Sequence, residues 1–249
     1  FLADHRGRQA LAQRILPLLL AGKPRSQVRE LALAGNEYPS GGLGERLIDE
    51  ELARLQEFAN ELAPQLAPPT LPPVHAAFDC SLADERWQLV GVLGDLRSTG
   101  LLRYRYDELR VADRLTGWIS HLLLCAAAPP GARLETHWHA RDGGFRLRAC
   151  ETAAARAHLA ALIGLYRRGL SQPLHFFPKS AWAYVEHGGV LAVARQRWRN
   201  QQNPAWGEEA DPAFRIALRG VDDPLDTEFE LCARTVFGPL LEHIEASPS

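Results

Sequence analysis

Gly94, Arg103 and Arg105 occupy positions where a metal-dependent cut of a phosphodiester could be built. Such chemistry needs an acid closing one strand, an acid two residues before a lysine on the next strand, and a helix behind both. The two carboxylates hold magnesium, which polarises the phosphate and supplies a hydroxide nucleophile. The lysine orients that water or stabilises the developing charge. Between Trp87 and Cys125 the chain reads as two short strands joined at Ser98-Thr99-Gly100, then an amphipathic helix, so the layout is present. The chemistry is not, because the acid-x-lysine position holds Arg103-Tyr104-Arg105. Arg105 can imitate lysine as a charge but cannot act as a base near neutral pH, and Arg103 repels a cation. Shifting the register by one brings in Asp95 as a first acid. It supplies no second acid beside a lysine, since Lys23 and Lys179 are the only lysines.

Other groupings carry weaker chemistry. His137 and His139 share one face of an expected strand, because residues i and i+2 point the same way, and Asp142 is near in sequence. That spacing can bind zinc or copper, but polar side chains beside a hairpin turn are ordinary, and no metal is expected. Asp107, Glu108 and Asp113 form an acidic cluster where a helix begins, a place that attracts acids without catalytic purpose. No G-x-S-x-G elbow surrounds Ser120-His121 or Ser180, and no phosphate-binding loop ending in Gly-Lys-Ser/Thr occurs. Arg195-Gln196-Arg197-Trp198-Arg199 interleaves cations with an indole, a pattern that can hold phosphates and stack a base. Arg146 and Arg148, with Arg103 and Arg105, are further candidates for contact with DNA.

The elements that must position these residues follow from periodicity and breakers. Helices are expected over 6–20, interrupted by Pro17, over 26–33, and over 44–63, where Ile48, Leu52, Leu55 and Leu62 share a face. The proline-rich stretch 67–73 must be extended. Strands are expected over 74–82, 87–96 and 101–106, followed by a helix capped by Asp113 and ending near Cys125. A hairpin over 133–139 and 145–150 turns at Asp142-Gly143-Gly144. Helices should then cover 152–168, 190–200, 211–219 and 226–237. In the last segment Phe229, Leu231, Val236, Phe237, Leu240 and Leu241 are assigned to the core.

Composition sets the frame. With 249 residues, 46% of them hydrophobic, the chain can bury a large core. It reads as one domain over 1–249, with a helical lead-in (1–66), a sheet-containing core (74–150) and a mostly helical remainder (151–249). A net charge of −2 gives no global attraction to nucleic acid. The four cysteines are widely spaced without a C-x-x-C pair, so reduced, buried thiols of a cytoplasmic protein are expected. No apolar run approaches the length that spans a bilayer. The chain begins at Phe1 and contains no methionine, so we read it as a piece cut from a longer protein.

Several runs are similar to one family. They are the stretch 100–106, Leu109-Arg-Val-Ala112, and 118–126 from Trp118 to Ala126. Tyr38-Pro-Ser-Gly-Gly-Leu-Gly-Glu45, residues 162–174 and Phe176-Phe-Pro-Lys-Ser180 follow the same pattern. Together, taken in chain order, they resemble the C-terminal region of RecC, the gamma subunit of exodeoxyribonuclease V. The resemblance implies an α/β fold with a mixed sheet flanked by helices, like that of PD-(D/E)xK nucleases but with a degenerate active site. Active relatives carry Gly-x-x-x-His on an early helix, where Gly44 is followed by Ile48 in the histidine position. They carry Gly-x-x-Asp, where Gly91 leads to Gly94, and Asp-Tyr-Lys, where Arg103-Tyr104-Arg105 stands. The resemblance further implies RecB and RecD as partners and DNA, both duplex ends and single strands, as the shared substrate. It places ATP hydrolysis in RecB and RecD and magnesium-dependent cleavage in RecB, with no cofactor in this domain, no membrane and a role in double-strand break repair. Two other readings stay open. One is an active RecB-type nuclease with displaced ligands such as Asp95, Asp107 and Glu108. The other is a structural partner-binding module without DNA contact.

Overall fold

The protein, seen in a computed structural model that describes residues 5–82 and 85–246, is a mixed α/β structure. Helix α1 (His5–Leu20), α2 (Arg25–Leu33) and α3 (Gly42–Leu66) form the lead-in. Their apolar positions recur at helical spacing, so Leu11, Ile15 and Leu19 meet Val28, Ile48, Leu52, Leu55 and Leu62 in a core of their own. Gly44 is required by close approach: a side chain there would meet the Pro39 carbonyl oxygen at 1.7 Å. The segment after α3 runs extended, and Thr70 bridges to Arg97.

Strands β1 (Val74–Leu82) and β2 (Glu85–Leu93) make a two-stranded antiparallel ribbon in which Phe78 faces Leu89. The expected strand over 87–96 is in fact broken. At Gly94-Asp95 the chain leaves the ribbon, and β3 (Leu96–Arg97) joins a second sheet with β4 (Gly100–Arg105), β5 (Thr136–Ala140), β6 (Gly143–Leu147) and β7 (Ile244–Ala246). At Gly100, φ is +120°, and an added side chain would strike the Glu135 carbonyl oxygen at 2.3 Å, so the turn admits glycine alone.

Strands β4 and β5 are parallel, Leu101 opposite Thr136, while the remaining pairs in this sheet are antiparallel. A parallel pair needs a crossover, and helix α4 (Val111–Ala127) provides it. Asp113 does not occupy the N-cap position. It sits inside the first turn and accepts a hydrogen bond from the Arg110 backbone N–H at 2.8 Å, closing the helix start from the third residue.

Helices α5 (Thr152–Gly169), α6 (Pro178–Glu186), α7 (Leu191–Trp198), α8 (Pro212–Ala217) and α9 (Thr227–His243) follow. The main core gathers Trp118 and Leu122 of α4, Phe145 of β6, Trp182 of α6, and Phe229, Val236 and Phe237 of α9. Each such side chain stabilises the fold by about 1.5–3 kcal/mol through burial. Leu231 and Leu241, assigned to the core from sequence, instead face outward. A small cluster of Leu93, Leu96, Leu101 and Leu124 ties the ribbon to the sheet. Phe58 of α3 meets Tyr106 edge-on at 5.3 Å and ties the lead-in to it.

His121 is fully buried on α4. Its Nδ1 lies 3.0 Å from the Thr136 hydroxyl and its Nε2 is 2.9 Å from the Arg148 carbonyl. A carbonyl only accepts, so Nε2 carries the proton and Nδ1 receives the threonine hydrogen. Burial outweighs the carbonyl bond and pushes the imidazole pKa down to about 4. The four cysteines are unpaired, and Cys125, Cys150 and Cys232 are buried. Among the described residues no helix is long and apolar enough to cross a membrane.

Candidate functional site

Strand β4 fixes the geometry of the site. Leu101 and Leu102 are buried and anchor the strand. The two-residue period then sends Arg103 and Arg105 to the face shared with Leu101, and Tyr104 to the other face. Each arginine meets an acid. Arg103 Nη1 lies 2.5 Å from Asp95 Oδ2, across the break after β2. Arg105 Nη2 is 2.6 Å from Asp113 Oδ2, and its Nη1 is 3.7 Å from Asp107 Oδ2. Asp107 is buried and also pairs with Arg110 at 2.5 Å and accepts from the Gln9 side-chain amide at 2.7 Å. Glu108 pairs with Arg141 at 3.0 Å. Asp142 accepts the Leu109 backbone N–H at 2.7 Å.

The acids that could have served as displaced metal ligands, Asp95, Asp107 and Glu108, are thus each held by a guanidinium. Magnesium does not fit this donor set. Its carboxylates are already neutralised, and a bound divalent ion would stand against Arg103 and Arg105. Among the described residues no three histidine, cysteine, aspartate or glutamate side chains converge on a point where a metal ion could sit. Ile48, expected from the resemblance to stand in a histidine position, is packed into the α1–α3 core. Gly94 is exposed with open space about it, so a side chain there would clash with nothing.

The histidine pair on β5 is likewise engaged. His137 lies 3.6 Å from Glu135, and His139 Nε2 donates to the Gln65 side-chain oxygen at 2.7 Å. Burial lowers the pKa of both; Glu135 partly offsets this at His137, and the charge of His137 lowers His139 further. Arg146 pairs with Glu135 at 2.9 Å and Glu245 at 3.8 Å. Arg148 reaches Glu245 at 3.3 Å and donates to the Glu242 carbonyl at 2.7 Å. These two arginines fasten β6 to the end of α9 and to β7.

On α7 the arrangement inverts. Trp198, expected from sequence to stack a base, is buried. Its ring lies 4.2 Å from that of Phe177 and 6.1 Å from that of Phe214, so it offers no face to a nucleobase. Arg195 pairs with Asp223 at 2.8 Å and Arg199 with Glu209 at 2.7 Å. Arg197 is exposed and has neither an ion pair nor a side-chain hydrogen bond among the described residues. The sequence reading missed Trp206, whose indole is 70% exposed. It also missed Glu208, a buried carboxylate that accepts from the Lys179 and Ser180 backbone N–H groups at 2.9 and 2.7 Å and so caps α6. A turn signal, Asn203-Pro204, marked this loop, but nothing local marked what its side chains would reach.

Strand, strand, helix, parallel strand, with acids closed by arginines, defines an α/β domain whose cleft is neutralised internally. Residues 1–189 match the RecC C-terminal domain family, and the chain belongs to that family. Among its relatives is the RecBCD enzyme subunit RecC of Escherichia coli (strain K12), 27% identical over 187 residues, which is 75% of this chain and 16% of that protein. Another, from Buchnera aphidicola subsp. Acyrthosiphon pisum (strain APS), is 28% identical over 102 residues, 41% of this chain and 9% of that one. The match therefore spans only a small part of the length of these relatives.

Proposed function

We propose that this chain is a non-catalytic scaffold and DNA-guiding domain within a RecBCD-type complex, built on a nuclease-like frame whose metal site has been replaced by ion pairs. The observation that carries this reading is the β4 network, in which Arg103 and Arg105, expected at the ligand positions, pair with Asp95, Asp107 and Asp113. The order of strands and the parallel β4–β5 pair support the nuclease-like frame. The relatives named as RecBCD enzyme subunits support membership of such a complex, with RecB and RecD as partners and catalysis residing in them. Arginines already held by acids act first as structure, and the partly exposed ends of Arg103 and Arg105 could still meet a phosphate at the surface.

The test is cleavage of end-labelled duplex and single-stranded DNA by the purified protein with magnesium, then manganese. The parent should cut neither. A Gly94→Asp, Arg103→Asp, Arg105→Lys variant runs alongside to ask whether ligands alone restore metal binding. Metal-dependent cleavage that disappears in Asp95→Ala would sink the proposal and make this a nuclease with displaced ligands.

A further inference from the structure

The ribbon of β1 and β2 is left with open edges. Its register runs without a bulge from Val74 opposite Leu93 to Leu82 opposite Glu85, and neither strand pairs with any other. Every second residue of such a strand turns its N–H and C=O away from the partner strand. Among the described residues no backbone hydrogen bond reaches the outer edge of either one. Exposed edges are ordinarily blunted by shortness, bulges, proline or lysine. Strand β1 is nine residues long and has none of these, its one carboxylate being Asp79. The two edges differ in what lies beside them. β2 lies over α4, where an added side chain at Gly91 would meet Leu123 at 3.2 Å. β1 instead borders a groove of about 180 Å³ whose far wall is α5. Residues 77–80 of β1 all line it, and neighbours in a strand point to opposite faces, so the groove opens along the strand's edge. Leu159, Ala160 and Ile163 of α5 make its apolar wall, with Leu89 of β2. The charges along it balance. Asp79 accepts from the Gln88 amide at 3.2 Å, and the Arg156 guanidinium lies over the Phe78 ring at 5.3 Å. On the outer face Val90, opposite Ala77, is 66% exposed.

We propose that the β1 edge is a docking site for an extended segment of another polypeptide, which adds as a third strand of the ribbon and sets an apolar side chain into the groove against α5. The unpaired ladder of β1 says what covers it, because an extended backbone supplies N–H and C=O groups at the matching spacing. Alternation then fixes the side chains of that segment. Those on one side enter the groove between β1 and α5. Those on the other lie beside Ala77 and lengthen the exposed row that Val90 begins. With Asp79 and Arg156 in balance, selection falls to shape and backbone rather than to net charge. A second copy of this chain would bring its own α5 toward the space that α5 already walls, so a lone strand fits better than a second ribbon. The inference rests on the reading of the chain as a scaffold within an assembly, and it gives that scaffold a means of holding a partner.

The experiment selects nonapeptides from a displayed random library on the 249-residue protein and measures binding of the labelled, synthesised peptides by fluorescence anisotropy. Apolar residues should recur at every second position of the selected sequences. N-methylation of alternate peptide nitrogens should abolish binding for one set of positions and leave it unchanged for the other, a pattern that pairing with a strand edge produces. Ala160→Leu, which fills the groove, should weaken binding by about tenfold or more. A second readout needs no variant. Cys80 lines the groove and is the one cysteine of the four that is not buried, so saturating peptide should slow its alkylation by iodoacetamide several-fold. A library that yields no binder overturns the proposal, as do peptides that ignore Ala160→Leu and leave Cys80 fully reactive. Equal loss of binding whichever nitrogens are methylated overturns strand addition. A parent that sediments as a dimer through this edge, and as a monomer once peptide is added, assigns the edge to a second copy and overturns the proposal as well. Metal-dependent DNA cleavage, by contrast, removes the non-catalytic reading and leaves peptide binding where it was.

Discussion

Two runs of this chain set arginines about an aromatic ring, and they fold to opposite effect. On β4, Arg103 and Arg105 are about two-thirds buried against acids, while Tyr104 between them is exposed. At α7, Arg195 and, just past the helix end, Arg199 lie mostly in solvent, at 53% and 63% exposure, while Trp198 is in the core. The residue types are nearly the same, and the backbone period makes the difference. A period of two puts alternate cations on one inward face, where acids must meet them. A period of 3.6 lets one residue of the same run turn inward alone. Composition therefore identifies neither site; the element does.

The comparison can be broken most sharply at the aromatics. Trp198→Ala should cost about 3–5 kcal/mol, as for a large ring removed from a packed core, whereas Tyr104→Ala should cost far less. Urea unfolding of the two variants measures the contrast, and similar midpoints would mean that the strand ring, too, is structural.

Next in size is a pH effect that must be separated from the arginine networks. The folded pKa of His121, about 4, lies below the unfolded value near 6.5. Above that window both states are neutral and the site contributes no pH dependence. As pH falls through it the unfolded chain takes up the proton first, so stability declines between pH 6.5 and 4 and then levels, a loss of about 3 kcal/mol. Denaturation across this range should show the decline in the parent and its absence in His121→Gln.

Smaller effects sharpen the charge side of the comparison. Arg105→Met leaves the buried Asp107 with Arg110 and removes the side-chain partner of Asp113. It should cost roughly 1.5–3 kcal/mol, the worth of a hydrogen bond to a charged group. Arg199→Met, at an exposed pair, should lie within about 0.5 kcal/mol of the parent. Thermal melts at two ionic strengths test both, because salt weakens the exposed pair and hardly touches the inner one.

Much of the fold could be read from the chain alone, and the exceptions share a cause. The turn at Ser98-Thr99-Gly100, the hairpin at Asp142-Gly143 and the caps at Asp211 and Asp226 are local devices, and each lies where its residues require. Helix α6 went unassigned because its first turn is capped by Glu208, 28 residues further along the chain. Strand β7 is three residues long and exists only as an addition to β6. The β4 substitutions were visible as the wrong residue types in a recognisable layout. The acids that meet Arg103 and Arg105 were also visible, at Asp95, Asp107 and Asp113. Their pairing, however, depends on the chain's exit at Gly94-Asp95 and on the start of α4, and the reach of Gln9 to Asp107 across 98 positions depends on the fold. Nor could an arginine-rich octet announce that its tryptophan would be enclosed by Phe177 and Phe214, which arrive from either side.

The late contribution of α9 and β7 has a consequence for biosynthesis. Phe229, Val236 and Phe237 complete the main core, and Ile244–Ala246 covers the open edge of β6. A chain emerging from the ribosome amino end first can assemble α1–α3 early around their separate core. Its larger half must keep the ring of Phe177 and the edge of β6 uncovered until residues 225–246 have cleared the exit tunnel. During that interval the nascent chain presents an apolar surface beside an unpaired strand, the combination that chaperones attend.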